Sequence, residues 1–98
     1  MTYESTMVAL ADPTRRKLFS RLRQRPHAVG ELAGHLRVSQ PAVSQHLGVL
    51  RRARLVRSRR DGRRVLYRAD AAGLAALRAY VDEMWSEVLE SYARSFEE

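Results

Sequence analysis

Residues 38–47 of the chain read Val-Ser-Gln-Pro-Ala-Val-Ser-Gln-His-Leu, and this stretch decides the fold. Ser39 is one of the residue types preferred at a helix N-cap, where the hydroxyl accepts a backbone hydrogen bond. Val43, Leu47 and Leu50 then recur at intervals of four and three residues, which places them on one face of a helix. The stretch therefore predicts a helix with a narrow apolar stripe and a broad polar surface.

This helix ends at about Ala53, and a shorter helix precedes it. Val29, Leu32 and Leu36 repeat the helical spacing and predict a helix from about Val29 to Leu36. Residues 37–39 form the connection between the two helices. Two short helices joined by a tight turn, the second with a hydrogen-bonding outer face, are typical of a helix-turn-helix.

A basic hairpin is predicted directly after these helices. The pattern changes to a period of two at Val56, Asp61-Gly62 is a strong turn signal, and residues 65–67 (Val-Leu-Tyr) form a β-prone return strand. The hairpin carries six arginines: Arg57, Arg59, Arg60, Arg63, Arg64 and Arg68. A basic hairpin after a helix-turn-helix is the wing of a winged helix.

Two helices are predicted before the helix-turn-helix. Residues 7–11 favour a short helix. Asp12 and Pro13 then favour the start of a second helix, as its N-cap and first helical residue, and Pro26 ends it. The apolar face of this second helix consists of Leu18, Phe19 and Leu22.

One long helix is predicted from Ala71 to about Ser95. Its apolar stripe steps by three and four residues through Leu74, Leu77, Val81, Met84, Trp85, Val88 and Tyr92. The opposite side carries acidic residues: Asp82, Glu83, Glu87 and Glu90. Because this stripe is longer than one side of a small core needs, we expect it to form a subunit interface.

Composition limits the classes of function. The chain has 98 residues and no cysteine, which indicates one domain and excludes disulfide scaffolds, thiol chemistry and thiolate metal sites. No stretch reaches the length of a membrane span, so we expect a cytoplasmic protein. There is no glycine-rich phosphate loop, and Ser44 near His46 has no orienting acid. We therefore expect no catalytic residues and no enzymatic activity.

The distribution of charge indicates a polyanionic partner. The formal net charge is +7, but residues 13–68 contain 16 Lys and Arg against two acids, Glu31 and Asp61. Residues 69–98 contain two arginines and seven acids. A basic body followed by an acidic segment favours a nucleic-acid-binding body and a different role for the C-terminal helix.

Several stretches together resemble one known family. They are residues 10–16 (Leu-Ala-Asp-Pro-Thr-Arg-Arg), 29–33 (Val-Gly-Glu-Leu-Ala), 38–47, 49–50 and 59–67 (Arg-Arg-Asp-Gly-Arg-Arg-Val-Leu-Tyr). In this order and at this spacing the chain resembles the ArsR/SmtB family of bacterial winged-helix repressors from about Met7 to Leu89. The resemblance implies four helices, a two-stranded wing and a fifth helix, a homodimer through the first and last helices, and operator binding near promoters.

We therefore expect residues 1–98 to form a single winged helix-turn-helix domain that binds a double-stranded DNA operator, with an unknown inducer. The expected contacts from the recognition helix are Ser39, Gln40, Pro41, Ser44, Gln45 and His46. The expected contacts to the DNA backbone are Arg51, Arg59, Arg60, Arg63 and Arg64. The expected dimer interface comprises Val8, Leu74, Leu77, Val81, Trp85, Val88 and Tyr92.

The chain departs from the metal-sensing members of that family. Residues 31–36 contain no Cys-x-Cys pair, and the last helix contains no histidine, so neither familiar metal site is encoded and we expect no cofactor. His27, His35 and His46 lie in different elements, which favours surface or packing roles. Two alternatives remain open: a repressor that senses a metal or small ligand through a non-standard site, and an architectural DNA-binding protein without a defined operator.

Overall fold

The computed structural model describes residues 2–97. Its elements follow in the order α1 (Tyr3–Ala11), α2 (Pro13–Gln24), α3 (Val29–Leu36), α4 (Gln40–Arg52), β1 (Val56–Asp61), β2 (Arg64–Ala69) and α5 (Ala71–Arg94). The predicted mainly helical winged helix-turn-helix is confirmed. The first helix begins earlier than predicted, because Thr2 caps it: the hydroxyl of Thr2 accepts a hydrogen bond from the amide of Ser5 at 3.3 Å.

Local capping chemistry sets the start of three further helices. The carboxylate of Asp12 accepts a hydrogen bond from the amide of Arg15 at 3.0 Å, and Pro13 occupies the first turn of α2. The hydroxyl of Ser39 accepts from the amide of Ala42 at 3.3 Å at the start of α4. Asp70 accepts from the amide of Ala72 at 3.1 Å and starts α5. Each contact satisfies an amide that the first helical turn leaves without a partner.

The core lies among α2, α3 and α4. Its buried apolar residues are Ala9, Leu18, Phe19, Leu22, Leu32, Ala33, Val43, Leu47, Leu50, Ala53, Leu55 and Val56. Burying a leucine side chain of this kind contributes roughly 1.5–3 kcal/mol. The core therefore fixes the orientation of α4 relative to α3 and leaves the opposite face of α4 in solvent.

The wing is an antiparallel hairpin of β1 and β2. Asp61 pairs with Arg64, so the turn residues are Gly62 and Arg63, one position later than Asp61-Gly62 would place them. Gly62 has a φ of 63°, as the first central residue of a tight hairpin turn requires, whereas an aspartate there would be strained. On its other edge β2 is joined to the body, because Tyr67 exchanges two backbone hydrogen bonds with His27.

The first half of α5 is docked on the body, and its second half projects away from it. Gly73 allows the close approach, because a Cβ at this position would collide with the carbonyl oxygens of Ala53 and Arg54. The hydroxyl of Thr6 donates to the carbonyl of Gly73 at 2.9 Å, which ties α1 to the same turn. From residue 81 to residue 97 every side chain is exposed.

Within residues 2–97, no helix combines the length and the apolar character that crossing a bilayer requires.

Candidate nucleic-acid interface

The polar face of α4 is fully available to a partner. Gln40, Ser44 and Gln45 are exposed, while Val43 and Leu47, which lie on the opposite side of the helix from Gln45, are buried. Carboxamide and hydroxyl groups can donate to and accept from base edges in the major groove of DNA, so this face has the chemistry for sequence readout. Its position follows from the local sequence, because the apolar stripe of α4 determines which side is turned outward.

Two residues at the start of α4 have contacts within the chain. The hydroxyl of Ser39 already accepts the capping bond, so its structural task is to begin the helix. The side-chain nitrogen Nε2 of Gln40 lies 3.6 Å from the point that a Cβ on Gly30 would occupy. Gln40 therefore rests against the first turn of α3, and Pro41 is exposed.

His46 lies on a different side of α4 from the residues predicted to read DNA. Successive residues of a helix are rotated by about 100°. His46 follows Ser44 by two residues, so the two side chains lie on almost opposite sides of α4. The pKa of the Asp12 carboxyl is held below its usual value, first by the hydrogen bond from the Arg15 amide and in smaller part by the charges of Arg15 and His46. His46 is half-buried.

The arginines divide into those that stabilise the fold and those without a protein partner. Arg15 donates to the carbonyls of Ala9 at 2.6 Å and Val8 at 3.1 Å. Arg16 donates to the carbonyls of Leu10 at 2.7 Å and Ala11 at 3.0 Å. These bonds satisfy the last carbonyls of α1, which its helix leaves open.

Other cations take part in ion pairs or an aromatic contact. Arg25 and Arg64 pair with Glu31, Arg78 pairs with Asp82, and Arg94 pairs with Glu90. The guanidinium of Arg23 lies over the ring of Phe19. Among the residues that the structure describes, the cations without such a partner are Lys17, Arg21, Arg37, Arg51, Arg52, Arg54, Arg57, Arg59, Arg60, Arg63 and Arg68. Most of these lie between residues 51 and 68, at the end of α4, in the turn after it and on the wing.

The wing presents cations on both of its faces and at its tip. Arg59 is opposite Leu66 and Arg60 is opposite Val65 in the register, so these two neighbouring arginines point to different faces. Arg63 is exposed in the turn. This arrangement surrounds the tip of the hairpin with positive charge.

Arg64 differs from the other wing arginines because it is bound to the helix-turn-helix. Its guanidinium lies 2.6 Å from a carboxylate oxygen of Glu31, and the same oxygen accepts from the amide of Ala28 at 3.1 Å. The Ala28 amide is the main cause that lowers the pKa of Glu31, followed by the charges of Arg64 and Arg25. Glu31 thus links α3 to the wing, a contact that the sequence pattern did not indicate.

The surface predicted for dimerisation is apolar and mostly exposed. Val8 is 65% exposed and Trp85 is 63% exposed, whereas Leu74 packs partly against the core. Leu77 and Val81 line a groove of about 540 Å³ along α5. At the base of this surface Tyr3 of α1 stacks on Tyr80 of α5 with 3.8 Å between the ring centroids. The whole predicted set comprises Val8, Leu74, Leu77, Val81, Trp85, Val88 and Tyr92.

Two of the three histidines adjoin, although they belong to different elements. The rings of His27 and His35 lie edge to face with centroids 5.7 Å apart. His27 is 2% exposed, and its Nδ1 donates to the carbonyl of Arg25 at 2.8 Å, since a carbonyl only accepts. Across residues 2–97 no three histidine, aspartate or glutamate side chains are grouped as metal ligands. The ring contact connects His35 of α3 with His27, which pairs with Tyr67 of β2.

Comparison with known proteins yields consistent matches. Residues 12–58 match the family model described as bacterial regulatory protein, arsR family. The HTH-type transcriptional regulator Rv2034 of Mycobacterium tuberculosis is 56% identical over 88% of this chain and 80% of its own length. The HTH-type transcriptional repressor SmtB of the same species is 48% identical over 61% of this chain and 44% of its own.

A solved structure agrees over nearly the whole chain. The ArsR-like transcriptional regulator from Rhodococcus sp. RHA1 has a TM-score of 0.86 at 30% identity. The match covers 96% of this chain and 86% of that one. The similarity therefore extends beyond the helix-turn-helix to the terminal helices.

Proposed function

The chain belongs to the ArsR family of bacterial regulatory proteins and is a DNA-binding transcriptional regulator, and we propose that it acts as a homodimeric repressor of a palindromic operator near its own promoter. The family consists of transcriptional regulators rather than enzymes. In this proposal residues 1–98 form one winged helix-turn-helix domain whose terminal helices dimerise. In this proposal the protein acts in the cytoplasm, where the promoter that it blocks lies.

The exposed polar face of α4 is the observation that carries the proposal. Gln40, Ser44 and Gln45 are outside the core on a helix whose inner stripe is buried in it. Glutamine can make a bidentate contact with adenine, and serine can donate or accept at any base. In this role Ser39 and Pro41 fix the start of the helix beside the DNA backbone, and His46 contacts a phosphate.

The unpaired wing cations support backbone contacts on either side of the readout helix. Arg59, Arg60 and Arg63 have no counterion among the described residues, and Arg51 extends the same charge along α4. We propose that these four arginines contact phosphates directly. When DNA binds, the guanidinium of Arg64 either leaves Glu31 to contact a phosphate or stays paired with Glu31 and holds the wing in place.

The exposed apolar stripe of α5 supports dimerisation. The stripe continues through Trp85, Val88 and Tyr92 in a region where α5 leaves the body of the chain. Exposed contiguous apolar surface of this kind marks an interaction site. A two-fold axis through paired terminal helices would place two copies of α4 on one side of the dimer, and the operator would then have two symmetric half-sites.

Protection footprinting on genomic fragments selected by the protein tests this proposal. We expect two protected half-sites related by a two-fold axis, spaced by one or more helical turns of about 10 bp, in a fragment that includes the region upstream of its own gene. Uniform protection of unrelated fragments would instead identify an architectural protein. We expect the same footprint with zinc or with EDTA, and a footprint that zinc removes would favour a metal sensor.

A further inference from the structure

An open cleft of about 970 Å³ lies where the end of α4 meets β1 and the start of α5. Four arginines line it: Arg51 and Arg52 from the last turn of α4, Arg54 from the following turn, and Arg57 from β1. The cleft is separate from the tip of the wing, where Arg59, Arg60 and Arg63 lie.

The positive charge of this cleft is not neutralised by the chain itself. All four arginines are exposed, and within residues 2–97 their guanidinium groups form no ion pair. The lining contains one carboxylate, that of Asp70. This carboxylate is already used as the N-cap of α5, where it accepts from the amide of Ala72. The cleft therefore has an excess of cations that an anionic partner would neutralise.

The backbone at Arg54 is strained for an arginine. Arg54 has a φ of 60°, in the left-handed region that favours glycine. This conformation closes α4, because the Leu55 amide donates to the Leu50 carbonyl at 2.9 Å and the Arg54 amide donates to the Arg51 carbonyl at 3.0 Å, the hydrogen bonds of a left-handed helix C-cap. The Arg54 carbonyl also accepts from the Gly73 amide at 2.7 Å, which docks α5. An arginine at this position costs stability that a glycine would not.

A second unfavourable feature lies in the adjoining strands. Arg57 is directly opposite Arg68 in the hairpin register, which places two like charges side by side. Like charges in directly opposed positions destabilise a hairpin. A bound anion would relieve this repulsion, which is a second reason to expect that the cleft is occupied when the protein functions.

The cleft is continuous with the readout face. Arg51 follows Gln40 by 11 residues, which is three helical turns to within about 20°, so both lie on the same face of α4. The 13 residues of α4 extend over roughly 18–20 Å, compared with a major groove about 12 Å wide. A helix lying in the groove thus has its two ends near opposite phosphate backbones.

We propose that this cleft is a second binding site for the DNA backbone, in which Arg52, Arg54 and Arg57 contact phosphates across the major groove from the start of α4. The inference rests on the proposed function, since it concerns the same DNA complex. A polyanion fits better than a small anionic effector, because the cleft is open and its arginines come from separate segments along its length. None of them is buried as a site for one small ligand would require.

The test measures the dependence of DNA affinity on salt for Arg54→Gly. This substitution removes one cation and also relieves the left-handed strain, so the variant should be more stable than the parent while binding DNA less tightly. Each phosphate that the protein no longer neutralises reduces the slope of log affinity against log salt by about 0.9. The dimer loses one such contact in each protomer, so we expect a reduction of about 1.8. It should be the same on the operator and on an unrelated duplex, because phosphates carry no sequence information.

Two controls separate the site from a general effect of charge. Arg37 also has a left-handed backbone, with a φ of 54°, but lies outside the cleft. Arg37→Gly should therefore raise stability as well, and it measures how much stability the removal of this strain contributes. Arg21→Gln removes one exposed cation from α2 and should leave the slope unchanged. Arg52→Gln should reproduce the reduced slope in a fold that has no altered backbone, which keeps the test valid if Arg54→Gly behaves unexpectedly.

The outcomes that would overturn the proposal are distinct from a failure of the proposed function. If Arg54→Gly and Arg52→Gln keep the full slope, or reduce it no more than Arg21→Gln does, the cleft does not contact DNA. If pyrophosphate binds the parent but not Arg54→Gly, and the DNA slopes stay equal, the cleft is a small-anion site. A parent protein that does not distinguish operator from unrelated duplex would refute the specific operator, yet the slope on either duplex would still decide the role of the cleft.

Discussion

Two arginine pairs, Arg15-Arg16 and Arg59-Arg60, look alike in sequence and have different roles in the structure. The first pair donates to four carbonyls at the end of α1 and is part of the fold. The second pair lies on opposite faces of the wing, and neither member has a partner among residues 2–97. A run of positive charge therefore does not identify a binding surface until the protein's own acceptors have been assigned.

The largest expected effect comes from removing the first pair. Arg15→Ala with Arg16→Ala deletes charge-assisted hydrogen bonds that satisfy helix-end carbonyls, each of which typically contributes roughly 1.5–3 kcal/mol. Because both side chains are partly solvated, we expect the free energy of unfolding to fall by about 3 kcal/mol in urea denaturation. The salt slope of DNA binding should not change under conditions where the variant is folded. A stable variant with a smaller slope would place this pair with the DNA contacts.

The next effect concerns Trp85, which belongs to the exposed group of apolar residues. Tryptophan residues at the centre of an interface commonly contribute about 2 kcal/mol or more to association. We expect Trp85→Ala to raise the dissociation constant of the dimer at least about 30-fold in sedimentation equilibrium. A parent protein that stays monomeric at all concentrations would contradict the proposed dimer.

Arg59→Ala with Arg60→Ala is the counterpart of the first variant. Since these side chains bind nothing in the free chain, thermal stability should stay the same or rise slightly as repulsion falls. The slope of log affinity against log salt should fall by about 3.6, because each protomer of the dimer then neutralises two phosphates fewer. A drop in stability with an unchanged slope would reverse the distinction between the two pairs.

The smallest expected effect distinguishes the capping hydrogen bond of Asp12 from the contribution of its negative charge. The pKa of Asp12 is lowered in the folded state, so the ionised carboxylate stabilises the fold above its unfolded pKa, and this contribution disappears as pH falls through the folded value. Asp12→Asn keeps a capping side chain and removes the titration. Below about pH 4 the parent should therefore lose stability relative to Asp12→Asn in paired thermal melts. Parallel curves would show that the charge of Asp12 contributes nothing.

Local chemistry explains how much of the fold could be predicted from sequence. Asp12, Pro13 and Ser39 set helix starts within a few residues of themselves, and the predicted starts of α2 and α4 are confirmed. The predicted bounds of α3 agree with the structure for the same reason, because its apolar spacing is local. The turn of the wing lies one residue later than predicted, since the strand register also depends on how β2 meets His27.

The candidate site was less accessible to sequence reasoning, because its decisive contacts join distant positions. Glu31 and Arg64 are 33 residues apart, and neither the pair nor its link between α3 and the wing has a local signal. The adjoining rings of His27 and His35 and the left-handed backbone of Arg54 likewise depend on packing between elements. The polar face of α4 could be predicted because helical periodicity alone determines it.

Fluorescence anisotropy on a selected operator, with the parent and Gln45→Ala, tests the central claim that α4 reads DNA sequence. Titrations at several salt concentrations should use the operator and an unrelated duplex in parallel. We predict that Gln45→Ala weakens operator binding by roughly 1–3 kcal/mol, leaves binding to the unrelated duplex unchanged, and keeps the salt slope of the parent. Equal reductions in affinity on both duplexes, or parent binding that an excess of unrelated duplex removes, would contradict sequence-specific recognition by this helix.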